Sequence, residues 1–216
     1  MSVKNYSQTL LMLLSFAFVT HATYNYFKQK QKKEKKPKKQ NEIHEVLWFT
    51  SDDNDMKKSK YSRCMISRSM ERLLHFVGQP RHNLDICMYV WTNQDVANIV
   101  LKLHLRGVKI RVIVDADMAF TSGSVIKKLV KYGIPVRWMK STNLMHNKFC
   151  LVDTLLRDES VSPFVITGSL NWTNQGLSGN YESCIVTTAE PILSQLSIEF
   201  EKLWLQFKPA VEYNFN

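Results

Sequence analysis

The run Phe149-Cys150-Leu151-Val152 is entered through His146-Asn147-Lys148 and left through Asp153. Four apolar residues between polar ones read as a buried strand, and a buried strand needs a sheet around it. Side chains along a strand repeat their face every second residue, so His146 and Lys148 point the same way, roughly 7 Å apart. That gap suits a tetrahedral phosphate held between an imidazole and an ammonium. Asp153 has the opposite parity, lies at the strand's end and reads as structural. A second apolar run, Phe164-Val165-Ile166, leads into Gly168-Ser169-Leu170-Asn171. Gly168 and Ser169 are expected to form a turn whose backbone N–H groups face an anion. Asn171 adds an amide donor. Taken singly, each residue has an ordinary explanation: a His beside an apolar strand is usually a satisfied polar group, and a Lys a surface charge. The joint spacing is far less ordinary.

The rest of the chain supplies the sheet and its cover. Val46 to Phe49 is a short strand candidate within the polar region 41–60. Cys64 to Val77 carries apolar residues at helical spacing and is closed by Gly78-Gln79-Pro80. Strands are expected at 84–91, 108–114, 135–139, 146–152, 164–167 and 183–187. Helices are expected from an Asn93 N-cap through Leu105, over 122–132, and over 191–207. Strands alternating with helices point to an α/β fold, an αβα sandwich with a mixed central β-sheet. The motif residues fall at strand ends, where such sheets place their sites. No internal repeat is visible, so the chain carries one His-x-Lys unit.

The formal charge of +10 is unevenly spread. Residues 28–39 hold eight Lys and one Glu, whereas residues 40–216 hold 20 Lys and Arg against 18 Asp and Glu. The basic character belongs to a linker, and the whole-chain charge is no argument for nucleic-acid binding. The four cysteines, Cys64, Cys87, Cys150 and Cys184, are widely spaced, three of them inside apolar runs. They read as buried thiols of a reducing compartment, not as a disulfide framework.

Residues 5–27 contain no Lys, Arg, Asp or Glu and centre on the apolar run 10–19. About 20 residues span a bilayer as a helix. A transmembrane anchor over 1–27, a Lys-rich linker over 28–39 and a catalytic domain over 40–216 is the expected organisation. The competing reading is a cleaved signal peptide, with Lys4 before the apolar run and Thr20-His21-Ala22 as cleavage site. Dense positive charge directly after the segment disfavours export and holds the following domain in the cytosol.

His146-x-Lys148-x4-Asp153 followed by Gly168-Ser169-x-Asn171 resembles the active-site signature of the phospholipase D superfamily. The order of elements, with Asn171-Trp172-Thr173 and Asn180-Tyr181-Glu182, is similar to one branch of it. That branch is the single-motif mitochondrial cardiolipin hydrolases, called Zucchini in insects. The resemblance covers about Leu84 to the end and extends to the anchor and linker. It implies a homodimer on the mitochondrial outer membrane with a cytosolic catalytic domain. Two activities are implied: single-strand endoribonuclease in piwi-interacting RNA production, and hydrolysis of cardiolipin to phosphatidic acid.

The implied mechanism is covalent and needs no metal or other cofactor. His146 attacks phosphorus to form a phosphohistidine. A second His, from a two-fold partner, protonates the leaving oxygen and activates water. Lys148 and Asn171 neutralise the equatorial oxygens. Glu182 stands where the family places a carboxylate that orients the catalytic His; the plain alternative is a surface Glu. Trp172 and Tyr181 either stack on bases or serve the core or an interface. Phosphate contacts carry no sequence information, so little base preference is expected. Better-known relatives bind zinc through a Cys and His cluster ahead of the core. Here that region has only Cys64, with His44, His75 and His82 scattered, which speaks against a four-ligand zinc site.

Overall fold

A computed structural model of the chain describes residues 3–34, 42–50, 55–156 and 160–210. Part of the Lys-rich linker lies outside them. Two compact units are present, Met1–Lys39 and Gln40–Asn216.

The described residues of the first unit form a helix, α1 (Val3–Glu34). Among the described residues no helix is long and apolar enough to cross a membrane. The physical reason is visible in the sequence. The apolar run 10–19 is about half a span, and Ser7, Gln8, Thr9, Thr20, His21 and Asn25 flank it.

The second unit is built on an eight-stranded mixed sheet. Its strands in chain order are β1 (His44–Phe49), β4 (Asn83–Met88), β5 (Lys109–Val114), β6 (Val136–Trp138), β7 (Lys148–Val152), β8 (Phe164–Gly168), β9 (Glu182–Thr187) and β10 (Lys208–Pro209). A separate two-stranded ribbon joins β2 (Lys57–Lys58) to β3 (Met65–Ile66). The order across the large sheet is β1-β9-β8-β7-β4-β5-β6-β10. β4, β5 and β6 are parallel, and β7, β8, β9 and β1 alternate in direction.

Helices α2 (Arg68–Val77) and α3 (Gln94–Leu105) cover one face, with the short α4 (Ala116–Ala119), α5 (Ile126–Lys131) and α6 (Asn174–Ser178). The main core packs there, with Leu73, Leu74, Val96 and Val100 against Ile86, Val112, Cys150 and Val186. The long α7 (Glu190–Gln206) covers the other face, where Leu193 and Phe200 meet Cys87, Ile113, Phe149 and Val165. The fold is the αβα sandwich expected.

Several boundaries differ from expectation, each for a local reason. The helix expected from Cys64 begins at Arg68, because Met65 and Ile66 pair with Lys58 and Lys57 and Ser67 caps the helix by accepting from Met70 N–H. The helix expected over 122–132 shrinks to α5, since Gly123 adopts a left-handed φ of +78° in the turn after α4. Asn93 caps α3 by accepting from Val96 N–H. The strand expected from His146 starts at Lys148, because its partner β4 ends at Met88, opposite Lys148. Cys87, Cys150 and Cys184 are buried free thiols, whereas Cys64 is exposed.

Candidate active site

The sheet's strand directions gather the site at one edge. β4 and β5 end there, β8 ends there, and β7 and β9 begin there. Tyr89 follows β4, Asp115 follows β5, His146 and Lys148 lead into β7, Ser169 and Asn171 follow β8, and Glu182 opens β9.

The segment before β7 is held in place by a buried carboxylate. Asp115 Oδ1 accepts from the N–H groups of Asp117 and Met118 at 3.1 and 3.3 Å, capping α4. Its Oδ2 accepts from Met145 N–H at 3.0 Å, fixing the residue just before His146. The His146 side chain is exposed, and its ring lies 4.4 Å from that of Tyr89, tilted by 56°.

Lys148 is only 9% exposed. Its Nζ donates to the His146 carbonyl at 2.8 Å and lies 3.3 Å from His146 Nδ1. An ammonium can only donate, so Nδ1 offers its lone pair in this contact. The same Nζ sits 5.1 Å from the Tyr89 ring centroid, over its electron-rich face. Burial pushes the Lys148 pKa below that of an ordinary lysine, with the Glu182 carboxylate opposing the shift.

Gly168 and Ser169 do not form the anion-facing turn expected of them. Gly168 extends β8 and pairs with Cys184, and Ser169 N–H donates to Ser183 O at 3.0 Å. The glycine is required by close approach: a Cβ on Gly168 would lie 2.1 Å from Ser183 O. The Ser169 hydroxyl donates to Glu182 Oε2, and Asn180 Nδ2 donates to Glu182 Oε1 at 2.9 Å. Both Glu182 oxygens are therefore engaged, and neither bond goes to His146. Asn171 Oδ1 accepts from Val90 N–H at 3.3 Å, which ties the segment after β8 to the one after β4.

Asp153 is at the far end of β7, about 17 Å of strand from Lys148. It is buried at φ +54°, and its carboxylate accepts from the backbone N–H groups of Arg81, His82 and Asn83. Trp172 is buried edge-on against Trp91, while Tyr181 is exposed. Cys64 is exposed, His75 lies against Tyr61 and Gln79, and His44 against Thr187. Among the described residues no group of three His, Cys, Asp or Glu side chains is placed to hold a metal.

Tyr89 carries no motif of its own, and its role emerges only from the pairing of Met88 with Lys148. Asp115 is legible as an acidic residue at a strand end, but not its bond across 30 residues to Met145.

A family model described as "Cardiolipin synthase, PLD-like domain" matches residues 73–204. A mitochondrial cardiolipin hydrolase of Drosophila melanogaster is 34% identical over 152 residues, covering 65% of this chain and 60% of its own length. One of Chlamydomonas reinhardtii is 38% identical over 140 residues, covering 65% and 59%. The chain thus spans about three-fifths of the length of these relatives. The crystal structure of Nuc, a phospholipase D family member from Salmonella typhimurium, superposes with a TM-score of 0.61 at 17% identity, over 78% of this chain and 98% of that one. At that identity the match speaks for the fold. The sequence match from β4 to β9 and over most of α7 carries the assignment itself, and the chain belongs to the family of PLD-like domains of the cardiolipin synthase type.

Proposed function

We propose that the protein hydrolyses phosphodiesters through a covalent His146 intermediate, with single-stranded RNA as substrate. The observation that carries the reading is the Lys148 ammonium, drawn out of water and set against the His146 ring and carbonyl. A nucleophile beside a fixed cation suits a phosphate, whose charge grows on the non-bridging oxygens during attack. His146 forms a P–N bond as the P–O bond to the leaving group breaks. The leaving oxygen takes its proton from His146 of a second copy, which then receives one from the attacking water as the P–N bond breaks. The chain has one His-x-Lys unit, so the complete site is composite in a homodimer. Once a phosphate draws the Lys148 ammonium off Nδ1, Lys148 and the Asn171 amide bind the equatorial oxygens, and the tautomer with its proton on Nδ1, held by Glu182 across the two-fold axis, leaves Nε2 free to attack. RNA cleavage leaves a 5′ phosphate, in keeping with a role in piwi-interacting RNA production.

A second reading, hydrolysis of cardiolipin to phosphatidic acid, is favoured by the names of the relatives. Both use the same chemistry. A side-by-side assay of the full chain on single-stranded RNA and cardiolipin vesicles separates them, with His146→Asn as blank. RNA cut and vesicles intact is the expected result; vesicle hydrolysis without RNA cleavage reverses the assignment.

Residues 1–39 are proposed to hold the protein at the mitochondrial outer membrane, with residues 40–216 in the cytosol. The uncharged stretch 5–27 and the Lys run after it support this. Retention after carbonate extraction of mitochondria, with the catalytic unit open to added protease, is expected. Release into the supernatant contradicts an anchor.

A further inference from the structure

The loop after β4 serves two places. Tyr89 packs on His146, whereas Thr92, Asn93, Gln94 and Asp95 line a cavity of about 650 Å³. The segment after β8 is shared in the same way. Asn171 binds Val90, and three residues on, Asn174 lines the cavity and accepts from Asn93 Nδ2 at 2.8 Å. The two segments are tied together where the N–H groups of Thr92 and Asn93 both donate to Trp172 O at 2.9 Å. Three residues of chain reach about 10 Å. Added to the 4.4 Å from Tyr89 to His146, that reach puts the cavity's Thr92 on the order of 10 to 15 Å from His146, a span of about two nucleotides.

The cavity's chemistry is two-sided. Met56, Met65, Ile66, Met70 and Leu177 make an apolar, deformable wall, in which Met56 and Met65 stand 43% and 54% exposed. Methionine sulfur makes favourable contacts with aromatic rings. Gln94, Asn174 and Ser62 add neutral polar groups; Gln94 Oε1, Asn174 Oδ1 and Ser62 Oγ accept from Lys128 Nζ, Asn93 Nδ2 and Cys64 N–H, and the Asn174 amide NH2 and the Ser62 hydroxyl are the donors a ligand would meet. Among the described residues no Lys or Arg lines the cavity, and the one charged lining residue is Asp95, which does not suit a phosphate. A hydrocarbon chain filling it would strip water from the amides and offer them no partner. A flat heterocycle with a polar edge satisfies both sides.

We infer that this cavity receives an unpaired nucleobase of the strand whose phosphate lies at His146, and so gives cleavage a base preference at a fixed distance from the cut. The inference rests on the RNA reading proposed above and departs from the expectation of little sequence preference. Phosphate contacts alone carry no such preference, but stacking and edge contacts to a splayed base do.

The test is cleavage of a random single-stranded RNA pool by the full chain, with the ends sequenced. Met65→Trp and Met56→Trp, which fill the cavity from exposed positions, are run beside wild type. Hydrolysis of bis(p-nitrophenyl) phosphate, too small to reach the cavity, reports the chemical site. Wild type is expected to favour one or two bases by about fivefold or more at one offset, in keeping with base-stacking strengths. That bias flattens in the Trp variants while small-diester hydrolysis is unchanged. Uniform cleavage by wild type overturns the cavity's role and leaves the RNA reading standing. Small-diester hydrolysis without RNA cleavage contradicts the RNA reading itself, and the base assignment with it. Slowed cardiolipin hydrolysis in the Trp variants, with the RNA pattern unchanged, assigns the cavity to an acyl chain instead and also overturns the inference.

Discussion

Lys148 sits at the head of a buried strand with its ammonium shielded from water by Tyr89 and the His146 backbone. Its pKa is lowered by burial, so the folded state spends free energy to keep it charged. The sign follows from linkage: the cost is fully present below the folded pKa and is relieved as pH rises through it. Lys148→Met should therefore leave the thermal midpoint unchanged or raise it, while phosphodiester hydrolysis falls by about 10²-fold or more. Calorimetry and a diesterase assay on the same preparation check this. A large drop in Tm would mean that the ammonium holds the fold. In the wild type, the alkaline loss of activity should begin below the pH at which an ordinary lysine deprotonates.

At the scale of elements, the segment leading into β7 depends on Asp115. One carboxylate caps α4 and binds Met145 N–H, so the end of β5 sets the position of His146. Asp115→Ala should lower kcat by about 10- to 100-fold, since small misplacements of a reacting group are costly. KM should change little, and Asp115→Asn, which keeps an acceptor, should recover part of the loss. Equal falls in kcat and thermal stability for both variants would reduce Asp115 to a helix cap. The motif residues are legible in the sequence because His146 and Lys148 stand two apart at the entry to one apolar strand, β7, which begins at Lys148. Tyr89 and Asp115 are not, because sheet pairing and a long-range bond bring them in. Long periodic helices such as α3 and α7 also read well. The five-residue α6 is too short to show a period, and Met65-Ile66 fits a helical spacing while pairing as a strand. Gly168 is recognisable as part of a motif, but its reason, contact with Ser183 O, is a fact of two strands and not of one.

For the whole molecule, the proposal that follows from one His-x-Lys unit per chain is a site completed by a second copy. Coexpressed wild-type and His146→Asn chains, isolated as mixed dimers by two tags, should be inactive. Mixed dimers with half of wild-type activity would show that each chain works alone. Beneath the composite site lies a narrower proposal, that His146 itself becomes bonded to phosphorus. The direct measurement is an alkaline quench of the enzyme during turnover, followed by mass spectrometry of the peptide that contains His146, since phosphohistidine survives base. A substrate-derived phosphoryl adduct is expected on His146, appearing before product accumulates, decaying as substrate is spent and absent from His146→Asn. Sustained turnover with no adduct at His146, or with activity retained in His146→Asn, would contradict it.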